Sequence, residues 1–505
     1  MLENRKIKLW VFLSAVFLFA AAVAALLCFE KQFCMDVPVI SESRLSGYTG
    51  DESVDITHLR FNGKKVAADI AGNTLYISQA PDKVFHYSAL QGKLDSAKPS
   101  QMLYFVNTPV LEDVASAVQS GTPLSLAVVD GGQCRRVNVV VTTLPVINID
   151  GAESHKNEEG RAVFSGDATL WAGLDPATEA YSTTAGRLQW HVRGNATAAE
   201  PKKPWKLSFK NSSGENQNVS LLGLGEDDDW ILNCLTMDDT RIKEKLFMDL
   251  WNTIAAQTDY NYKMSAGEYV ELVINGEYLG LFLLQRRLDT KYLELAPEDV
   301  LLKVTRYQAA TVEEAYEFVT PEVNTEQIYA IMQGVFDRTD SSAYNLHNVI
   351  DVNLMLQMAN ARDNYSLKNM YHVLRKTEQG FDHFLVPWDT DQSFGTVWKT
   401  DTGIAYDSQQ ALGEFDVRME TSALQKIYPQ YQQEAAARWK QLRGTTLSEN
   451  EILTRVDALY TSLSASGAMA RDVSQWSNRF GGDDSVGALK DFVRARLAVL
   501  DAYYG

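Results

Sequence analysis

Hydrophobic and polar positions divide the chain into stretches of different period. The first is apolar except for one serine: Leu9 to Phe29 reads LWVFLSAVFLFAAAVAALLCF. At ~1.5 Å per residue such a helix crosses a ~30 Å hydrocarbon layer. Arg5, Lys6 and Lys8 precede the run and Glu30-Lys31-Gln32 follows it. The positive-inside rule therefore predicts a single-pass anchor over residues 1–32, in the cell membrane, with the bulk of the chain extracytoplasmic. A cleaved signal peptide is the rival reading, but its apolar core runs ~7–15 residues before a small-x-small site. Here the run is longer and ends in Leu26-Leu27-Cys28-Phe29.

Beyond the anchor, short alternating runs dominate residues 33–144: Leu59 to Phe61, Thr74 to Ser78, Leu124 to Val129 and Val137 to Thr142, separated by Asn-Gly, Ala-Gly-Asn and Asp-Gly-Gly turn signals. They predict a small, mostly β domain. Strands continue with Leu188 to Val192, Trp205 to Phe209 and Tyr269 to Ile274, then a turn at Asn275-Gly276 and a return strand through Leu284. One helix interrupts them, because Ile242, Leu246, Leu250 and Ile254 recur every fourth residue behind a cap at Asp238 or Asp239. From about residue 325 the period becomes helical, broken by a loop holding Pro387 to Gly395. Ser448 with Glu451 forms a capping box, and an amphipathic helix runs from Ser485 to the end. The fold class is α+β: a β-rich half and a helical half over residues 145–407, with residues 408–505 a helical extension packed on them.

Composition changes this picture in two places. With 47 Lys and Arg against 65 Asp and Glu, the net charge of −18 excludes a generally basic nucleic-acid binder. The four cysteines fit neither a disulfide framework nor a zinc spacing. Cys34 and Cys134 are candidates to pair in an oxidising exterior, whereas Cys234, within Trp230 to Leu235, reads as a buried small hydrophobe. The seven histidines stand singly, with no His-Glu-x-x-His, and neither a Gly-x-Ser-x-Gly elbow nor a P-loop occurs.

Chemistry concentrates in two segments, Ala361 to Tyr371 and Pro387 to Gly395. Asp363 is followed six residues later by Asn369, and Asp389 and Asp391 lie beside Phe394-Gly395. That inventory offers one carboxylate for a hydroxyl proton and hard oxygen ligands for Mg²⁺, as phosphoryl transfer needs. Turn acids that merely cap or solvate are the plainer reading of either segment alone. Upstream, Arg193-Gly194-Asn195 and Lys202-Lys203-Pro204-Trp205-Lys206 place cations around strands, where phosphate would be gripped. Lys303 lies within an apolar run and so requires an anionic partner, either a structural carboxylate or a ligand.

These strings, taken in order with Asp229-Trp230 and Asn275-Gly-Glu-Tyr278-Leu-Gly280, resemble the CotH family of spore-coat, atypical kinases over roughly residues 145–400. The resemblance implies a distant protein-kinase-like fold using ATP and Mg²⁺ to phosphorylate Ser or Thr of a protein. It implies that Asp363 is the catalytic acid, that Asp389, Asn369 and Asp391 serve the metal, and that Arg193, Lys206, Lys303 and Asn369 serve the nucleotide. One departure stands out: where family members carry a Glu, this chain has Gln285-Arg286-Arg287, with Asp289 as a possible substitute acid, and Phe282 replaces a Tyr. A membrane-anchored kinase-like enzyme and a catalytically silent surface module binding a protein or glycan are the two readings. Partners are accordingly a protein substrate or surface partner and the membrane, with no nucleic acid.

Overall fold

A computed structural model describes residues 33–79, 90, 92–107, 118–174, 181–194, 197–305, 309–321, 325–336, 343–364, 369–399, 403–413, 430–476 and 484–505. The expected anchor at Leu9 to Phe29 and Asn195 lie outside these residues. Among the described residues no helix is long and apolar enough to cross a membrane.

The N-terminal β region forms one large sheet, in the order Phe33–Cys34, Val37–Ile40, Gln101–Val106, Leu124–Asp130, Gln133–Thr142, Thr74–Ser78, Ala67–Asp69, with Thr49–Gly50 also pairing against Gln133–Thr142. A three-stranded sheet of Lys64–Lys65, Leu59–Phe61 and Leu94–Ser96 accompanies it. Cys134 is a free, buried thiol, so its pairing with Cys34 is not formed; an apolar core keeps it as a small hydrophobe. Cys234 is likewise free and buried.

Seven strands then close a barrel. They are β1 (Val146–Lys156), β2 (Ala162–Leu174), β3 (Tyr181–Val192), β4 (Trp205–Lys210), β5 (Asp229–Asn233), β6 (Gly267–Ile274) and β7 (Glu277–Arg286). Their order is β1-β2-β3-β4-β5-β7-β6, with β6 returning parallel to β1. The interior is filled by residues two apart on each strand, such as Ile147 and Ile149, Leu188 and Trp190, or Trp230 and Leu232, as the pleat requires. Between β5 and β6 runs the helix α1 (Lys243–Ala255), whose Leu246, Leu250 and Ile254 are fully buried. Asp238 rather than Asp239 supports its start, accepting the Lys243 N–H at 2.7 Å and the Thr240 N–H at 2.8 Å.

The second half is less helical than its pattern suggested. Strands β8 (Val300–Val304), β9 (Tyr316–Phe318), β10 (Met370–Thr377) and β11 (Gly380–Pro387) make a sheet in the order β9-β8-β10-β11. The hairpin β10–β11 falls where helical periodicity was expected, because both strands are buried over most of their length and lack the alternation that marks a half-exposed strand. Helices α2 (Thr325–Phe336) and α3 (Leu346–Ala359) precede it, and α4 (Tyr431–Arg443), α5 (Glu449–Ala465), α6 (Ala468–Gln475) and α7 (Val486–Tyr504) end the chain. One hydrophobic cluster joins α1, α3 and these last helices: Leu250, Leu354, Val456 and Leu497 all belong to it.

Buried charges fasten the last helices to the barrel. Asp472 on α6 accepts hydrogen bonds from Lys202 at 2.6 Å, Arg241 at 2.8 Å and the Leu281 N–H at 2.9 Å. One residue earlier, Arg471 pairs with Glu271 of β6 at 2.7 Å, and Glu271 also accepts from the Tyr278 hydroxyl. The Tyr278 ring stacks on Tyr76 at 4.1 Å, so the N-terminal sheet, the barrel and α6 meet at one point.

Candidate functional site

The helix α3 stops at Asn360, which takes the left-handed conformation (φ 49°) of a helix C-terminus. A 3₁₀ turn, Arg362–Asn364, follows directly and carries Asp363. Asn364 is buried, and its amide donates to the carbonyls of Asn369 and Trp388, each at 2.9 Å. That amide draws the start of β10 and the end of β11 together with the turn. Asn369 completes the link: its Nδ2 donates to the Asp363 carboxylate at 2.7 Å and reaches the Asp389 carbonyl at 3.5 Å. The two motifs are therefore one site. Asn369, Asp389 and Phe394 all have positive φ, between 50° and 55°, a concentration of sparsely populated backbone where the acids gather.

The acids of the site repel one another. Enclosure by the protein, then the carboxylates of Asp389, Glu244 and Asp363, push the Asp391 carboxyl well above its ordinary value. Glu244, in the first turn of α1 and fully enclosed, is pushed up to about 7, by burial and then by Asp389. Gln285 donates to it at 3.1 Å and Asn233 at 2.5 Å. Glu244 thus brings an acid to the place where Gln285 stands. The Asp289 carboxylate accepts the Tyr292 N–H at 2.9 Å in a turn. Glu244 escaped sequence reading because it sits on the polar margin of a helix recognised by its apolar stripe, 119 residues before Asp363.

Cations face these acids. Lys303, on β8 beside Tyr371 of β10, is held below the usual ammonium range by burial and then by the nearby Arg193 guanidinium. It lies 5.8 Å from the Tyr371 ring, and Arg193 lies 5.9 Å from the Trp388 ring, next to Asp389. Neither cation has an ion pair or a side-chain hydrogen bond among the described residues. Glu317, opposite Lys303 across the β8–β9 ladder, and Asp389 are the carboxylates whose charge acts on Lys303, without an ion pair to either among the described residues. Lys206 differs: it is paired with Asp229 at 2.8 Å, and Asp229 also takes Arg287 at 3.1 Å and Ser208 at 2.5 Å. Lys202 is committed to Asp472, far from any phosphate-gripping role. Arg286, within the Gln285-Arg286-Arg287 departure, is neutralised by Asp227 at 3.0 Å.

Among the described residues no three His, Cys, Asp or Glu side chains stand close enough together to hold an ion. Mg²⁺ does not require that, because it is ordinarily bound by one or two carboxylates with waters and substrate phosphates. The site offers Asp389, Asp391 and the Asn369 amide, all oxygen donors. Two buried oxygens beside them, Thr390 Oγ1 and Asn364 Oδ1, lack a hydrogen-bond partner among the described residues. The residues fit a cation shared with a phosphate ligand, and do not fit a closed protein cage.

Acids on an amide-bridged turn, opposed by cations from a barrel and a neighbouring sheet, mark the candidate site of an α+β protein. A model of the CotH kinase protein family matches residues 190–500, and the chain belongs to that family. The match starts later than residue 145 and takes in the C-terminal helices, which the motifs alone had left outside; α6 and its Asp472 are part of the family region. No curated protein matches the chain in a sequence search.

Proposed function

We propose that this protein is a CotH-like, Mg²⁺- and ATP-dependent kinase that phosphorylates Ser or Thr of a protein, anchored by Leu9 to Phe29 with its site outside the cytoplasm. One observation carries the reading: Asn369 bridges Asp363 and Asp389, while Arg193 and Lys303 stand near them without an ion pair among the described residues. Unpaired, partly buried cations beside crowded acids are stabilised when a polyanion and a divalent cation enter together. Bound Mg²⁺ would neutralise charge on the transferring phosphoryl group.

Each residue has a distinct task in this scheme. Asp389 and Asp391, with the Asn369 amide oxygen, would hold the metal. Arg193 and Lys303 would attract the phosphates, as a charge-assisted hydrogen bond or a point charge does. Asp363, kept in place by Asn369, would accept the proton of the attacking hydroxyl. Lys206 would act at one remove, through Asp229 and Arg287.

Two substitutions separate these roles. Asp389→Ala should abolish Mg²⁺-dependent ATP affinity in calorimetry, whereas Asp363→Ala should retain binding and lose ~10²-fold or more in phosphotransfer to a Ser-rich peptide. Binding without transfer in the wild type would mark a silent kinase fold. No binding at all would sink the nucleotide reading and favour a module that binds a surface protein or glycan. Membrane fractionation of the mature chain, with N-terminal sequencing, tests the anchor.

A further inference from the structure

The β1–β2 hairpin projects past the barrel, with Glu153 to Lys156 and Glu158 to Gly160 exposed and Gly160 at φ 75° in its turn. Arg161, the residue just before β2, is half-buried and tied down at every donor described. Its own N–H donates to Asn157 Oδ1 at 2.9 Å, and its Nε pairs with Glu159 at 2.8 Å. Its two remaining nitrogens reach across to β3: Nη1 donates to the Val192 carbonyl at 3.0 Å and Nη2 to the Gly194 carbonyl at 2.8 Å.

Those two carbonyls bracket Arg193. The β2–β3 ladder ends at Val163 opposite His191, so the guanidinium of Arg161 continues the ladder where the strands part. On the opposite side the Arg193 N–H donates to the Pro204 carbonyl at 3.0 Å. The backbone of residues 192–194 is therefore pinned from both edges. The Arg193 side chain, by contrast, makes no ion pair among the described residues and extends over Trp388.

We propose that Arg161 is a positioning residue for the nucleotide phosphates: its fork on the Val192 and Gly194 carbonyls fixes the segment that aims Arg193 at the site. The inference rests on the nucleotide reading above. A fork that matches two carbonyls is a guanidinium property, and lysine can satisfy only one of them at a time. The function is separable from ending a ladder, because a structural role would change stability without coupling to Arg193.

The test uses the full-length chain in detergent and a double-mutant cycle on Mg²⁺–ATP dissociation constants. Arg161→Ala should weaken binding about tenfold, Arg161→Lys less, and Arg193→Ala at least as much as Arg161→Ala. In the Arg193→Ala background, Arg161→Ala should have no further effect. An unchanged constant in Arg161→Ala, or an equal further loss in the double variant, would overturn the proposal. A second readout needs no nucleotide: Trp388 emission, isolated as the difference between each variant and its Trp388→Phe counterpart. Arg161→Ala should shift it in the same direction as Arg193→Ala, since both take the guanidinium off the ring. If wild type binds no Mg²⁺–ATP, the nucleotide reading fails, and an unshifted Trp388 emission would overturn the placement of Arg193 as well.

Discussion

Two charged regions of this molecule are built on opposite rules. Around α6 every buried charge has its counter-charge: Asp472 with Lys202 and Arg241, Glu271 with Arg471. Around Asp389 the charges are sorted by sign, with Asp391 and Glu244 pushed up by burial and then by their neighbours, and Lys303 pushed down by burial and then by Arg193. Desolvation opposes both regions, yet only the first is compensated from within the protein. The difference teaches where to look for a ligand. Burial of a charge does not mark a site, since Lys202 is more deeply buried than Lys303; failure to pair it does.

The largest expected effect lies in the paired region. Asp472→Ala removes the ion-pair partner of the buried Lys202, the nearer of two carboxylates on the buried Arg241 and the acceptor of the Leu281 N–H, which should destabilise the protein by about 3–5 kcal/mol. Thermal or denaturant unfolding measures it. A loss below ~1 kcal/mol would mean that water reaches this junction, and the contrast between the regions would collapse.

The unpaired region should respond to pH instead. Glu244 has its pKa raised from 4.5 to about 7, so its contribution is fully present below pH 4.5 and is lost as pH rises through 7. The gap corresponds to about 3 kcal/mol at ~1.4 kcal/mol per pH unit. Burial acts in the opposite sense on His372, lowered from 6.5 to about 3, and on its partner His383, 2.8 Å away; their contribution is present above pH 6.5 and lost as pH falls. The two trends overlap between pH 4.5 and 6.5, so the informative quantity is a difference. Wild type minus Glu244→Gln, measured without Mg²⁺, should fall steadily between pH 4.5 and 8. A flat difference would show that Glu244 is not isolated from solvent.

Legibility from sequence followed the same division. Barrel strands β3, β4, β6 and β7 announced themselves because one face of each is core and alternation survives, and α1 because Leu246, Leu250 and Ile254 form a stripe. Ser448 and Ser485 do cap α5 and α7, accepting the Glu451 and Ala488 N–H groups, although Glu451 turns to Arg455 instead of closing the box. The β10–β11 hairpin escaped because strands buried on both faces lose their period. Asp363, Asn369 and Asp389 were legible as two motifs, Asp363 with Asn369 six residues on and Asp389 20 residues beyond Asn369. Glu244, Arg161 and the partner of Lys202 were not, since their meaning comes from groups 31 to 270 residues away.

The smallest effects make the finest test, because two lysines of similar exposure should diverge. Lys206→Met removes one of three groups on Asp229, which keeps Arg287 and Ser208, so the loss of stability should be about 1 kcal/mol with little change in Mg²⁺–ATP affinity. Lys303→Met removes a cation that forms no ion pair among the described residues and leaves an apolar chain beside Tyr371. Its stability should stay within ~0.5 kcal/mol of wild type or rise, while Mg²⁺–ATP affinity should fall about tenfold or more. Unfolding midpoints and calorimetry on the same two preparations give four numbers with a required crossing. If Lys206→Met is the variant that loses affinity, the paired lysine is the nucleotide contact, Asp229 holds it ready rather than away, and pairing no longer separates structural charge from functional charge in this protein.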